Sequence, residues 1–269
     1  MVNAYGWDWM KSRSVASYVA EAYDRSAERY RRDDEIEAGT ENHQRLGGNL
    51  QRICRSFGRP IRVLELGCGT GRYFHWLENV ELLVGTDISA EMLQRAKDPL
   101  QRSNVTAAEI RLVQGDIYEL HFEPQSFDFI YSLGVFGYGA ELTAELCSKL
   151  HRCLAAGGRL YFDAIENLDC RRFDRFKDSI KAAVYPRLPA PWRTRLEARN
   201  TMPVFYHNRA DMEQRMQSAG FEDFALSSNA CNSPLWRGAH LECVAGKARE
   251  VVPHHSTLNL AEAETTNSR

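Results

Sequence analysis

The chain has 269 residues, 43% hydrophobic and 26% charged, which suits one ordinary globular α/β domain with additions and is enough to bury a proper core. A formal net charge of -2 removes any whole-chain electrostatic case for nucleic acid or a membrane surface. The seven cysteines form no CxxC and no Cys/His cluster at zinc spacing, so no metal site and a reducing compartment are expected. No basic start followed by an apolar run opens the chain and no long apolar span follows, so a cytoplasmic protein without a membrane span is expected.

In chain order, Val15, Tyr18, Val19, Ala22, Ser26 and Tyr30 recur at helical spacing and predict an amphipathic helix over 15–30. Arg31 to Thr40 is highly charged and reads as a loop, Asn42 to Phe57 as a second helix, and Gly58-Arg59-Pro60 as its stop. Residues 1–57 thus read as an N-terminal helical segment. An apolar strand, Ile61 to Leu66, then runs into Glu65-Leu66-Gly67-Cys68-Gly69-Thr70-Gly71. The alternate glycines permit a tight turn and direct contact between backbone and ligand, ahead of a helix predicted to open at Arg72. A dinucleotide site would need G-x-G-x-x-G. The spacing here is G-x-G-x-G, and Glu65 would repel a pyrophosphate while suiting an ammonium group.

Leu82 to Ile88 is a second buried strand, with Asp87 about 20 residues past the first glycine, the distance at which a nucleotide fold meets the ribose. Ser89 caps a helix over 90–97, which leaves Asp87 free for that role. Ile110 to Val113 is strand three and leads into Gln114-Gly115-Asp116-Ile117. Phe127 to Tyr131 is strand four, followed by Ser132-Leu133-Gly134-Val135-Phe136-Gly137-Tyr138-Gly139. A helix from Glu141 to Leu154, stopped by Ala156-Gly157-Gly158, precedes strand five, Arg159 to Ile165. The proline-interrupted, arginine- and aromatic-rich stretch 166–208 reads as a cap over the site. A helix capped by Asn208 and strands Phe221 to Ser227 and Leu241 to Gly246 close a domain over 58–249, and 250–269 reads as a polar disordered tail.

The ordered motifs resemble the class I S-adenosylmethionine-dependent methyltransferases, and Tyr23-Asp24-x-x-Ala27-x-x-Tyr30 resembles the segment preceding the domain in the ubiquinone/menaquinone-type group. The resemblance implies an α/β, doubly wound, mostly parallel seven-stranded sheet of the Rossmann-like methyltransferase fold, with N-terminal helices and a cap after strand five. It implies S-adenosylmethionine as cofactor. Its contacts would come from Tyr23 and Tyr30 on the lid helix, Glu65, Gly67, Cys68, Gly69 and Gly71 on the turn, and Asp87, Ile88 and Met92 around the ribose. Asp116 and Ile117 would meet the adenine, and Ser132 and Leu133 follow strand four. Asp128 is expected to brace a neighbouring turn.

Methyl transfer needs alignment and, for a protonated acceptor, a base. Tyr138, Glu166 and His207 are the candidates. Phe136, Trp192, Phe205, Tyr206 and Trp236 are candidates for an apolar acceptor chamber, and arginines such as Arg171, Arg175, Arg193 and Arg199 for an anionic group on a small-molecule acceptor. The base-methylating Asn/Asp-Pro-Pro-aromatic motif is absent after strand four, which argues against nucleic acid. A protein acceptor and a non-catalytic cofactor-binding protein stay open alternatives.

Overall fold

The computed structural model describes residues 15–166, 187, 204–232 and 237–249. Seven strands, β1 (Ile61–Leu66), β2 (Val80–Asp87), β3 (Glu109–Gln114), β4 (Phe127–Phe136), β5 (Leu154–Ile165), β6 (Asp223–Asn232) and β7 (Arg237–Gly246), form one sheet in the order β3-β2-β1-β4-β5-β7-β6. Strands β1 to β5 pair in parallel, and β7 runs antiparallel between β5 and β6. The order reverses between β1 and β4, so the crevice at their carboxyl ends is where an open α/β sheet holds its ligand.

Alternation along the strands builds two cores. Leu64, Leu66, Ile130 and Phe162 face one side, where helices α4 (Ala144–Cys153) and α5 (Arg209–Ser218) bring Leu146, Leu150, Met212 and Met216. Ile61, Val63, Phe129, Tyr131 and Tyr161 face the other, under α2 (Glu41–Ser56) and α3 (Ala90–Ala96), which add Leu46, Leu50, Cys54, Leu93 and Ala96. Period-2 strands sandwiched by helices on both faces require this pattern.

Three elements differ from the sequence reading. Helix α1 (Val15–Ala38) continues through the charged stretch expected as a loop, because Asp34 and Glu37 are buried rather than solvated and carry helical spacing on to the next turn. No helix opens at Arg72. Only 13 residues separate Leu66 from Val80, the glycine turn uses the first five, and a 3₁₀ turn over Phe74–Trp76 is all that fits. Helix α2 covers the sheet there instead, with Gly47 against the Trp76 indole, where a Cβ would fall 2.2 Å from the ring. Finally, Thr143 caps α4 by accepting from Leu146 N, and β5 starts at Leu154, so Gly157, at φ +73°, lies inside the extended segment rather than at a helix end.

Asp128 does brace a turn. It accepts from Arg62 N at 2.8 Å and pairs with Arg59 at 2.8 Å, which fixes the chain as it enters β1. The guanidiniums outweigh the burial that would raise its carboxyl, and its pKa is lowered. The cap stretch, including Arg171, Arg175, Trp192, Arg193 and Arg199, lies outside the described residues but for Glu166, Arg187 and 204–208; Trp236 and the tail 250–269 lie outside them too.

Candidate active site

A cavity of about 250 Å³ opens at the carboxyl ends of the strands and is roofed by α1. The glycine turn forms its floor. Gly67 and Gly69 hold φ of +68° and +53°; a Cβ on Gly67 would press on Val135 at 2.4 Å, whereas one on Gly69 would meet no protein atom within 4 Å. The backbone at Gly69 is therefore bare toward whatever fills the cavity.

Two buried carboxylates flank this turn. Glu65, 1% exposed, receives the Tyr131 hydroxyl at 2.5 Å. Burial pushes its pKa up to about 8; Tyr131 and Arg72 work against that rise and Asp87 adds to it. Asp87, 8% exposed, accepts from Gly69 N at 2.8 Å and Ser89 N at 2.9 Å, and burial lifts it to about 6 despite those donors. Two desolvated acids beside a bare backbone fit a ligand that brings positive charge and hydroxyl donors. S-adenosylmethionine, with its sulfonium, ammonium and ribose hydroxyls, is such a group.

Tyr23, Tyr30, Glu65, Gly67, Cys68, Gly69, Asp87, Ile88, Met92, Asp116, Ile117 and Leu133 come together on this cavity, and so does Tyr138. Asp116 accepts from Tyr118 N at 2.9 Å in an Asx turn. Gly71 and Ser132 lie behind the lining: a Cβ on Gly71 would meet Phe74, and the Ser132 hydroxyl is spent on the Leu66 carbonyl at 3.0 Å. Glu166 and His207 also stand off the cavity. They are joined by a β-bridge, Glu166 accepts from the Ser228 hydroxyl, and His207 Nε2 accepts from Leu142 N at 3.2 Å. Burial, helped by Arg215, drives His207 down to about 4 and keeps it neutral. Phe136 is buried in the α4 core, and Tyr206 is 46% exposed.

The structure adds residues that the sequence did not flag. Asp34 of α1 accepts from the Thr70 hydroxyl and faces Arg72 Nε at 3.0 Å, while Asp24 accepts from the Ser89 hydroxyl at 2.5 Å. These contacts tie the roof helix to both turns that flank the cavity. On the opposite wall His240 Nδ1 lies 2.8 Å from Asp163 Oδ2, Gly134 N donates to Asp163 Oδ1 at 2.6 Å, and the Tyr138 hydroxyl is 3.2 Å from His240 Nε2. One signal was available: Asp163 sits inside the apolar run Leu160-Tyr161-Phe162-Asp163-Ala164-Ile165, where an unpaired acid is costly.

Residues 64–162 match a family described as "Methyltransferase domain". The stretch from the end of β1 to the middle of β5 is thus similar to a methyltransferase domain. The chain is 29% identical over 167 residues to the malonyl-[acyl-carrier protein] O-methyltransferase of Erwinia pyrifoliae, covering 61% of this chain and 58% of that one. Identity to the sterol 24-C-methyltransferase of Candida albicans is 23% over 200 residues, covering 72% and 47%. The chain spans about half the length of the curated relatives it matches. Among solved structures, the magnesium protoporphyrin IX methyltransferase of Synechocystis, with bound S-adenosylhomocysteine, superposes with a TM-score of 0.54 at 16% identity, over 77% of this chain and 84% of that one. The fold is thus the expected one, and no helix among the described residues is long and apolar enough to cross a membrane.

Proposed function

We propose that the protein transfers the methyl group of S-adenosylmethionine to a small-molecule acceptor. The observation that carries this is the pair of buried acids, Glu65 and Asp87, on either side of the bare Gly69 backbone. Glu65 would take the ammonium, Asp87 the ribose hydroxyls, Asp116 and Ile117 the adenine edge, and Tyr23 and Tyr30 would close over them from α1. When bound, the cofactor supplies a methyl group already activated by sulfonium. The protein then has to orient, exclude water and dispose of a proton.

Names of relatives support an acceptor of modest size, since sterol and magnesium protoporphyrin IX are extended apolar molecules. The cavity agrees: Val15, Val19, Leu46, Tyr73 and Tyr138 give it an apolar wall. An anionic group on the acceptor is supported by the arginines of 171–199. Of the two arginines nearest that stretch in the described part, Arg209 is bonded to the Leu226 carbonyl and Arg215 to the Leu142 carbonyl. Kinship with the ubiquinone/menaquinone-type group rests on Tyr23 and Tyr30, whose rings meet edge to face at 5.8 Å.

Isothermal calorimetry tests the reading, with S-adenosylhomocysteine expected to bind and NAD not. Tighter binding of NAD would sink it. Binding without transfer of label from S-adenosylmethionine to any of a pool of small metabolites would favour a non-catalytic binding protein, and label transferred to RNA or protein would move the acceptor class.

A further inference from the structure

We propose that Tyr138, His240 and Asp163 form a proton relay that activates an acceptor hydroxyl, so that the attacking atom is oxygen. The inference rests on the methyltransferase reading and deepens it. All three residues line the same cavity as the glycine turn.

Their order follows from donor chemistry. Asp163 can only accept, and Gly134 N holds its Oδ1 at 2.6 Å, so the 2.8 Å contact at Oδ2 places the proton of His240 on Nδ1. Neutral His240 then presents a lone pair at Nε2, and the Tyr138 hydroxyl, 3.2 Å away, donates to it. Tyr138 itself lines the cavity. His240 is 8% exposed and Asp163 4% exposed. Burial pushes the imidazole pKa down, but Asp163, aided by Glu242 from the same strand and opposed by Arg45 from α2, more than offsets this and raises it. Arg45 is itself occupied by Glu242 at 2.6 Å. Burial, with Asp163 next, raises the Tyr138 hydroxyl, which therefore keeps its proton until His240 takes it.

The place on the sheet fits. Asp87 ends β2 and Asp116 follows β3, Glu65 lies on β1 with Gly67 just past it, and Asp163 and His240 lie on β5 and β7. In that strand order β1 and β4 lie between Asp87 and the relay, so the relay stands on the opposite side of the glycine turn from the ribose acid. A neutral amine attacks with its own lone pair and a carboxylate is already ionised. A hydroxyl is different: its O–H bond must break as the O–C bond forms. The electrons of the S–C bond pass to sulfur, the acceptor's proton goes to the Tyr138 oxygen, and the proton of Tyr138 goes to His240 Nε2. The resulting imidazolium faces Asp163 and later releases the proton to solvent.

The test uses the full chain and three probes that share one apolar body, 2-naphthol, 2-naphthylamine and 2-naphthoate, with labelled S-adenosylmethionine. 2-Naphthol is the expected acceptor. Its rate should rise with pH and level off once His240 is neutral. In His240→Gln and Tyr138→Phe it should fall by about 10²-fold or more and follow only the probe's own ionisation, near pH 10 as for a tyrosine. Imidazole ¹⁵N spectra, with His240 assigned from the variant, should show Nδ1–H in the resting protein, and Asp163→Asn should disturb that tautomer. Undiminished binding of S-adenosylhomocysteine shows each variant to be folded. An Nε2–H tautomer, no transfer to 2-naphthol by a protein that binds S-adenosylhomocysteine, or transfer to the amine or carboxylate at a rate His240→Gln leaves alone would each overturn the relay. Loss of S-adenosylhomocysteine binding by the parent protein would instead remove the methyltransferase reading beneath it.

Discussion

The Tyr131 hydroxyl donates to Glu65 at 2.5 Å from the next strand of the sheet, at a point where both side chains are sealed from water. The hydrogen bond favours the ionised carboxylate, but burial wins and the pKa rises to about 8. The folded, ligand-free protein therefore holds a proton that the unfolded chain, with the ordinary value of 4.5, has lost. Its stability should fall as pH rises from about 4.5 to about 8 and level off above, and Asp87 adds the same sign up to about 6. A cationic ligand reverses the preference. Affinity for S-adenosylhomocysteine should strengthen from pH 6 to pH 8, with up to one proton released at pH 7, counted by calorimetry in buffers of different ionisation heat. Glu65→Gln should remove the part of both pH dependences that lies above about pH 6, leaving only the Asp87 share of the stability change, along with most of the affinity.

Asp87→Ala should weaken binding by about 1.5–3 kcal/mol for each ribose hydroxyl it would have accepted. It also frees Gly69 N and Ser89 N, so the turn itself should loosen and hydrogen exchange at both amides should accelerate. Asp116→Ala, which releases a single amide of an exposed Asx turn, should cost less. Unaltered affinity in folded Asp87→Ala removes the ribose assignment.

Asp34→Ala strips the partner from Arg72 and Thr70 beneath α1. Breaking a buried pair leaves an uncompensated charge, at a cost of about 3 kcal/mol. Part of this should be felt locally, as faster amide exchange in α1 and a higher dissociation rate for S-adenosylhomocysteine, measured by stopped flow. A dissociation rate equal to that of the parent would mean that α1 is no roof.

Gly67→Ala and Gly69→Ala should separate stability from binding. The first drives a methyl into Val135 and should lower stability by about 1–3 kcal/mol, through overpacking and left-handed strain. The second meets no protein atom, so it should cost only the strain, about 1–2 kcal/mol, while weakening S-adenosylhomocysteine at least tenfold. Denaturant midpoints and calorimetry on the same samples decide.

Much of this was readable in advance where chemistry is local. Glycines at fixed spacing, an acid at a strand end and a serine cap each dictate their own geometry, so Glu65, Asp87 and Ser89 were legible. Contacts between distant segments were not. Nothing near Asp34 says that Thr70 will donate to it, and in a run of charges such as Arg31 to Glu37 a buried acid looks like a solvated one. His240 reaches Asp163 across the antiparallel β5–β7 pair, a register set by sheet order and invisible in either strand alone. The 3₁₀ turn in place of a helix was legible only by counting residues between Leu66 and Val80.

Because that connection is too short to lay a helix on the sheet, α2 is a borrowed wall. Its Leu46, Leu50 and Cys54 seal Val63 and Phe129, and its Arg45 and Asn49 bond Glu242 and Tyr161 at the far strands. The smallest piece able to fold therefore starts ahead of the family match at residue 64. A chain begun at Thr40 would keep the cap of α2 and lose only the roof, whereas one begun at Gly58 would leave an oily face of the sheet open to water and should be recovered as aggregate.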